Sequence, residues 1–195
     1  TFSKKAADEL KFRLGEATDI QTKSLPIGTF HSLSLRILRS IGKPIGVGED
    51  FVIWAKDWER EKVVDGYLKE LIKAGVYKKV DKDDINTRSA LRFIDDSRES
   101  LLDPEDASVK ASEKGDVAGI AHAELYSLYN NYLNTENKID FPRMVQLACK
   151  ALKQNADDGG KFGKKFAHVL VDEYQDINLA QKTLIDLIVL IGLLA

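Results

Sequence analysis

Apolar residues recur at helical spacing along most of the 195-residue chain. Ala6, Leu10 and Leu14 share one face behind Ser3, a natural N-cap, and Gly15 is the expected stop. In "HSLSLRILRSIG", Leu33, Ile37, Leu38 and Ile41 form a second stripe that ends at Gly42. The pattern predicts further helices over 57–75 (Val64, Leu68, Leu71 and Ile72, with Gly75 as the stop), over 87–102 before Pro104, and over 120–133. The last of these carries the clearest stripe, Leu125, Leu128, Tyr129, Tyr132 and Leu133. A helix over 140–154 has Pro142 near its first turn, where a missing N–H costs little. "LAQKTLIDLIVLI" reads as the final helix. Two short internal runs read as strands, "SLPIGTF" (24–30), which Pro26 confines to its beginning, and "AHVLV" (167–171), and Thr1 and Phe2 could end another. Residues 104–119 have no apolar period and are expected to form a mobile loop, and the stretch 156–166 reads as a polar loop.

Unbroken apolar strands such as "HVLV" belong to parallel sheets covered on both faces. The order strand, helix, strand, helix, then a helical stretch, then strand and helix again predicts an α/β domain interrupted by an all-α domain. The glycine- and proline-rich "KPIGVGED" (43–50) marks the first boundary. The expected division is 1–45, 46–156 and 157–195.

Composition refines this picture only slightly. Hydrophobic residues at 44% and charged residues at 31% describe an ordinary globular chain. The net charge of -2 excludes bulk attraction to nucleic acid, so any such contact must come from a local patch or from stacking. Cys149 stands alone, which excludes an intrachain disulfide and a cysteine zinc cluster and suits a reducing compartment. The apolar run 184–195 is too short to span a bilayer. The chain starts on Thr1 and stops inside an apolar run, so both ends read as cuts through a larger fold.

The candidate chemistry lies in "HVLVDEYQDIN" (168–178). In parallel α/β sheets, ligands gather where strands end. An acid there can hold Mg²⁺, directly or through water, and a second can orient and deprotonate an attacking water. Asp172 suits the metal and Glu173 the water. The alternative is a pair of solvated acids ahead of a helix N-terminus. The matching phosphate loop, G-x-x-x-x-G-K-[ST], is not in these residues. The Gly-Lys pairs at 42–43, 160–161 and 163–164 are followed by Pro44, Phe162 and Lys165. Trp54, Trp58 and the tyrosines 126, 129 and 132 read as core of the helical insert. Lys161, Lys164 and Lys165 read as a solvated loop.

Three motifs in order, "TFSKKAADELKFRL", "IGTFHSLSLRILR" and "VLVDEYQDIN", resemble motifs Ia, the GTFHS motif (Ib or Ic) and II of UvrD/Rep/PcrA-type superfamily 1 DNA helicases. "NKIDFPRMV" (137–145) is similar to a segment late in their helical 1B subdomain. The resemblance implies a RecA-like P-loop NTPase sheet (subdomain 1A) interrupted by 1B, with ATP and Mg²⁺ as cofactors and single-stranded and partial-duplex DNA as partners. It implies Asp172 as the Mg²⁺-associated acid, Glu173 as the catalytic base, and Gln175 and Asp176 as links between nucleotide and DNA sites. Phe2, Ser3 and Lys4 match one DNA-contacting turn, and Thr29, Phe30 and His31 a second. Phe2 and Phe30 would offer a sequence-blind base stack worth about 1–3 kcal/mol, the alternative being two core residues. Lys4 stands where the family commonly has asparagine, and Ile177 where it has threonine. The expectation is an N-terminal fragment of a 3′-to-5′ DNA helicase or translocase of repair or recombination, nearly inactive as an ATPase by itself. Its expected location is intracellular, nuclear if eukaryotic and cytoplasmic if bacterial. The rivals are a non-catalytic DNA- or partner-binding module and part of a helicase–nuclease subunit.

Overall fold

The computed structural model describes residues 1, 3–18, 25–154, 166 and 168–194, the side chains of 191–194 excepted. The chain divides into two compact units, Asp50–Arg143 and the pair of segments Thr1–Glu49 and Met144–Ala195.

The Asp50–Arg143 unit is built around one central helix. In chain order it holds β1 (Val52–Trp54), α3 (Asp57–Ala74), α4 (Thr87–Glu99), α5 (Pro104–Glu113), α6 (Val117–Thr135) and β2 (Lys138–Asp140). α6 packs against α3, α4, α5 and β2, and its Leu125, Tyr126, Tyr129 and Leu133 are fully enclosed. Burying each such side chain is worth about 1.5–3 kcal/mol, so the stripe over 120–133 organises this core. α3 stops at Gly75, which adopts φ 85° and turns its N–H back onto the carbonyls of Leu71 and Ile72. That left-handed cap is cheap only for glycine.

Three expectations for this unit are corrected, the first being Trp58, which is 62% exposed and not core. The unit is not all-α: β1 and β2 pair in parallel, with Val52 opposite Lys138 and Trp54 opposite Asp140. Three-residue strands are too short for a two-residue period to stand out, and pairing residues 86 apart in sequence leaves no local mark. Residues 104–119 are not a loop but α5 and the start of α6. Asp103 caps the backbone N–H of Asp106, Pro104 occupies the first turn, and Ala107 and Ala111 form a buried stripe of small residues. Alanine at i, i+4 allows close helix packing while contributing little to an apolar pattern.

The unit formed by 1–49 and 144–195 holds α1 (Lys4–Ala17), α2 (Phe30–Ile41), α8 (Leu179–Leu194) and the part of α7 (Phe141–Gln154) from Met144 onward. Ile37, Leu38, Met144, Ala148, Leu152 and Leu184 are buried in it. α7 and α8 touch where the Cys149 thiol lies 3.4 Å from the Ala180 carbonyl. Burial pushes that thiol up to about 12. α1 runs past Gly15 to Ala17, where the Thr18 hydroxyl donates to the Leu14 carbonyl at 2.7 Å.

Neither predicted internal strand forms among the described residues. Residues 25–29 and 168–171 are irregular, and the sole sheet there is β1–β2. The parallel 1A sheet is therefore not seen. A strand is completed by hydrogen bonds to a neighbour, and an apolar run cannot supply them from within itself.

Candidate functional site

The candidate residues lie on two helix starts and one acidic turn, all within the 1–49 and 144–195 unit. The first helix start is that of α1. Ser3 takes an extended backbone, and its hydroxyl accepts from the Ala6 N–H at 3.0 Å. Lys4 and Lys5 follow, exposed, and no acid stands in the first turn. Phe2 lies outside the described residues. The second start is that of α2, where Thr29 caps Ser32 in the same manner at 3.2 Å. Here too the first turn holds no acid.

The structure brings these two starts together. The backbone nitrogen of Thr1 lies 3.2 Å from the carbonyl oxygen of Gly28. Segments 27 residues apart thus present neighbouring helix N-termini. Each helix start has backbone N–H groups without intrahelical partners and the positive end of the helix dipole. With lysines on one of them and no carboxylate in either first turn, the pair suits an anionic backbone such as phosphate.

Phe30 opens α2 but is only 7% exposed. At that exposure it has no open face for a base in this conformation. His31 is half-buried, and burial lowers its pKa from the ordinary value, which favours the neutral imidazole.

The acidic turn follows the irregular 168–171 segment. Leu170 is 95% exposed, and Asp172, Glu173, Gln175 and Asp176 are all solvent-facing. Glu173 has φ 51° and ψ 45°, the left-handed region that costs a non-glycine residue about 1 kcal/mol. Its carboxylate accepts from the Gln175 amide at 2.5 Å, and a short 3-10 turn, Tyr174–Asp176, follows. With no strand before them, the two acids are set apart by this left-handed bend and not by strand alternation. Exposed carboxylates can ligate a hard cation, and Asp172 with Glu173 fits Mg²⁺ by donor type. Among the described residues, no group of three or more potential metal-binding side chains comes together.

The sequence matches the family model for the UvrD/REP helicase N-terminal domain over residues 1–191. The chain belongs to this family. It is 34% identical over 190 residues to a probable DNA helicase II homolog of Mycoplasma capricolum subsp. capricolum, covering 95% of this chain and 25% of the relative. It is 28% identical over 189 residues to the ATP-dependent DNA helicase PcrA of Leuconostoc citreum, covering 96% and 24%. It is 29% identical over 188 residues to the PcrA of Staphylococcus epidermidis, again covering 96% and 24%. The chain thus spans about a quarter of the length of these curated relatives. Among the described residues, no helix is long and apolar enough to cross a membrane.

Sequence reasoning missed a third cluster, inside the Asp50–Arg143 unit. Asp140, at the end of β2, accepts from Arg98 at 2.7 and 2.8 Å, from the Tyr129 hydroxyl at 2.7 Å and from the Arg143 backbone N–H at 3.1 Å. Arg60 Nε stands 3.3 Å from the same carboxylate and also pairs with Asp95. Arg98 reaches on to Asn130 at 2.9 Å and lies over the rings of Tyr126 and Tyr129. Burial alone would raise the Asp140 carboxyl. Arg98, then Arg60, overcome it and hold the pKa below the usual carboxylate range. The only sequence-level signal was a charged residue, Arg98, one helical turn beyond the buried Ile94 in α4.

Proposed function

We propose that this chain is the N-terminal part of a UvrD/Rep-type, ATP-dependent DNA helicase and single-stranded DNA translocase that moves 3′ to 5′ and acts in repair or recombination. In this reading the 1–49 and 144–195 unit is the first RecA-like subdomain, and Asp50–Arg143 is its 1B insert. ATP and Mg²⁺ are the cofactors, and single-stranded and partial-duplex DNA the substrates. The named relatives are bacterial, which favours the cytoplasmic alternative over the nuclear one.

The observation that carries the reading is the pair of acid-free helix starts joined at Thr1 and Gly28, in a chain that also bears the Asp-Glu turn. The helix starts would take the phosphates of the strand, with Ser3, Lys4, Thr29 and His31 at the contact. Phe2 would add stacking. Phe30 would do so only if DNA draws it out of its buried site. Asp172 would hold the Mg²⁺ that neutralises charge on the nucleotide phosphates. Glu173 would take the proton of the attacking water, with Gln175 fixing its orientation. A phosphate loop is needed to complete this chemistry and is not among these residues. We therefore expect residues 1–195 alone to hydrolyse ATP poorly.

The test uses the intact protein carrying Glu173→Gln. ATP binding should persist while DNA-stimulated hydrolysis falls about 10²–10⁴-fold. Turnover at the wild-type rate removes Glu173 as the base. Strand displacement on 3′-tailed but not 5′-tailed duplexes tests the polarity.

A further inference from the structure

The acidic turn runs into a reciprocal cap. The side-chain oxygen of Asn178 accepts from the Gln181 N–H at 2.9 Å, and the side-chain oxygen of Gln181 accepts from the Asn178 N–H at 3.2 Å. Two backbone donors at the start of α8 are satisfied at once, in the pattern of a capping box. Both partners are neutral amides, and the first turn of α8 holds no acid, so the cap brings no charge beside Asp172, Glu173 and Asp176. Ala180, in the same turn, is 2% exposed, and its carbonyl accepts from the buried Cys149 thiol of α7. The start of α8 is thus pinned by its own side chains and by the core.

From this anchor the backbone is tied step by step towards Glu173. Ile177 is half-buried and extended, and its N–H donates to the Tyr174 carbonyl at 3.4 Å. The Asp176 N–H donates to the Glu173 carbonyl at 2.9 Å, and the Gln175 amide donates to the Glu173 carboxylate. Segment 173–178 therefore has one fixed end, Asn178, and one strained end, Glu173 with φ 51°. A left-handed glutamate persists only where its surroundings hold it there. Residues 168–170 and 172–176 are exposed, so packing around the acids holds them little. The hold comes from the capped helix behind them.

We propose that Asn178, together with Gln181, is a positioning residue of the acidic turn: the reciprocal cap fixes the helix start that keeps Glu173 in its left-handed bend and aims its carboxylate. This rests on the reading of Glu173 as the base for the attacking water. Neither amide touches the reacting atoms. Without the cap the first turn of α8 frays, Ile177 is released, and Glu173 relaxes out of the left-handed region. A base must come within about 2.6–3.2 Å of the proton it takes, and a displacement of about 1 Å costs on the order of 100-fold in rate. Binding of ATP does not depend on where Glu173 points, so the loss falls on turnover.

The test measures DNA-stimulated ATP hydrolysis by the intact protein at saturating DNA. Asn178→Ala should lower kcat about 10- to 100-fold and leave KM for ATP within about twofold. Gln181→Ala should act in the same direction, since it removes the returning bond. Asn178→Ser keeps a neutral cap and should bring kcat back to within about twofold of wild type. Asp103→Ala removes an equivalent cap, the one that accepts from the Asp106 N–H at the start of α5, and should leave kcat unchanged. Circular dichroism should show all four variants folded. Wild-type kcat in Asn178→Ala, a loss carried by KM, an Asn178→Ser no better than Asn178→Ala, or an equal loss in Asp103→Ala overturns the proposal. Glu173→Gln, measured alongside, separates the two levels. If it abolishes turnover while Asn178→Ala does not, the positioning role alone fails; if it turns over at the wild-type rate, the reading of Glu173 as the base fails first.

Discussion

Arg98, with 0% exposure, and Leu170, with 95%, belong to the two different units of the same chain, and each stands where its residue type is not usually found. In Asp50–Arg143 a guanidinium is sealed in the core, its two terminal nitrogens bound by an acid and an amide beside aromatic faces, while its Nε has no hydrogen-bond partner among the described residues. In the other unit a leucine lies open on an irregular segment beside the acids of the candidate site. The charge balance divides the same way. Residues 50–143 carry 15 Lys+Arg against 20 Asp+Glu, and the remaining residues 14 against 11. The insert therefore repels a phosphate backbone overall, while the flanking segments attract one. The contrast teaches that the insert gathers its buried charges into one internal cluster around Asp140. The flanking unit keeps open helix starts, exposed acids and exposed apolar residues, the groups with which a protein meets something else.

The largest effect should come from breaking the sealed cluster. Arg98→Ala leaves Asp140 buried with its main partner gone and should cost about 3–5 kcal/mol in urea unfolding. A loss under about 1 kcal/mol would mean that Arg60 and Tyr129 already suffice for the carboxylate. Next comes a matched pair in the other unit. Leu184→Ala, at a fully buried site, should cost about 2–5 kcal/mol, and Leu170→Ala should stay within about 0.5. Equal costs would show that Leu170 is covered in solution and would erase the contrast.

A smaller effect is expected at the α5–α6 contact. A methyl on Gly119 would meet the Ala111 Cβ at 2.9 Å and the Asp116 carboxylate at 2.5 Å. Gly119→Ala should therefore destabilise the insert by about 1–3 kcal/mol.

The smallest effect is on pH dependence. His122 is buried with Nε2 unpartnered, packed by Tyr77 and Phe93 and facing Asp116 and Asp84. Burial lowers its pKa against the pull of those acids. The unfolded chain then binds a proton before the folded one does. The stability His122 contributes is present above its unfolded value of about 6.5 and is lost as pH falls below it. Urea midpoints between neutral and mildly acidic pH should fall in the wild type, and the slope should flatten in His122→Phe.

Much of the helical content was legible residue by residue. Ser3, Gly42 and Gly75 act as caps or stops, and the Leu125–Leu133 stripe forms the core face. These signals are local: a hydroxyl reaches a backbone N–H three residues away, and a stripe shares one helix face. The candidate acids at 172 and 173 stand out for the same reason, as neighbours after an apolar run. The strand expected before them was not legible in the same sense, because its hydrogen bonds must come from elsewhere. α5 escaped because alanines at 107 and 111 bury little area, yet they let α6 approach closely.

The sequence by itself determined where most helices begin and end and the family to which the chain belongs. Only the tertiary structure decided that Thr1 meets Gly28, that Asp140 gathers Arg98, Arg60 and Tyr129, and that β1 finds β2 across 86 residues. Those contacts depend on which distant faces share a core, and a linear pattern records each face without recording its mate.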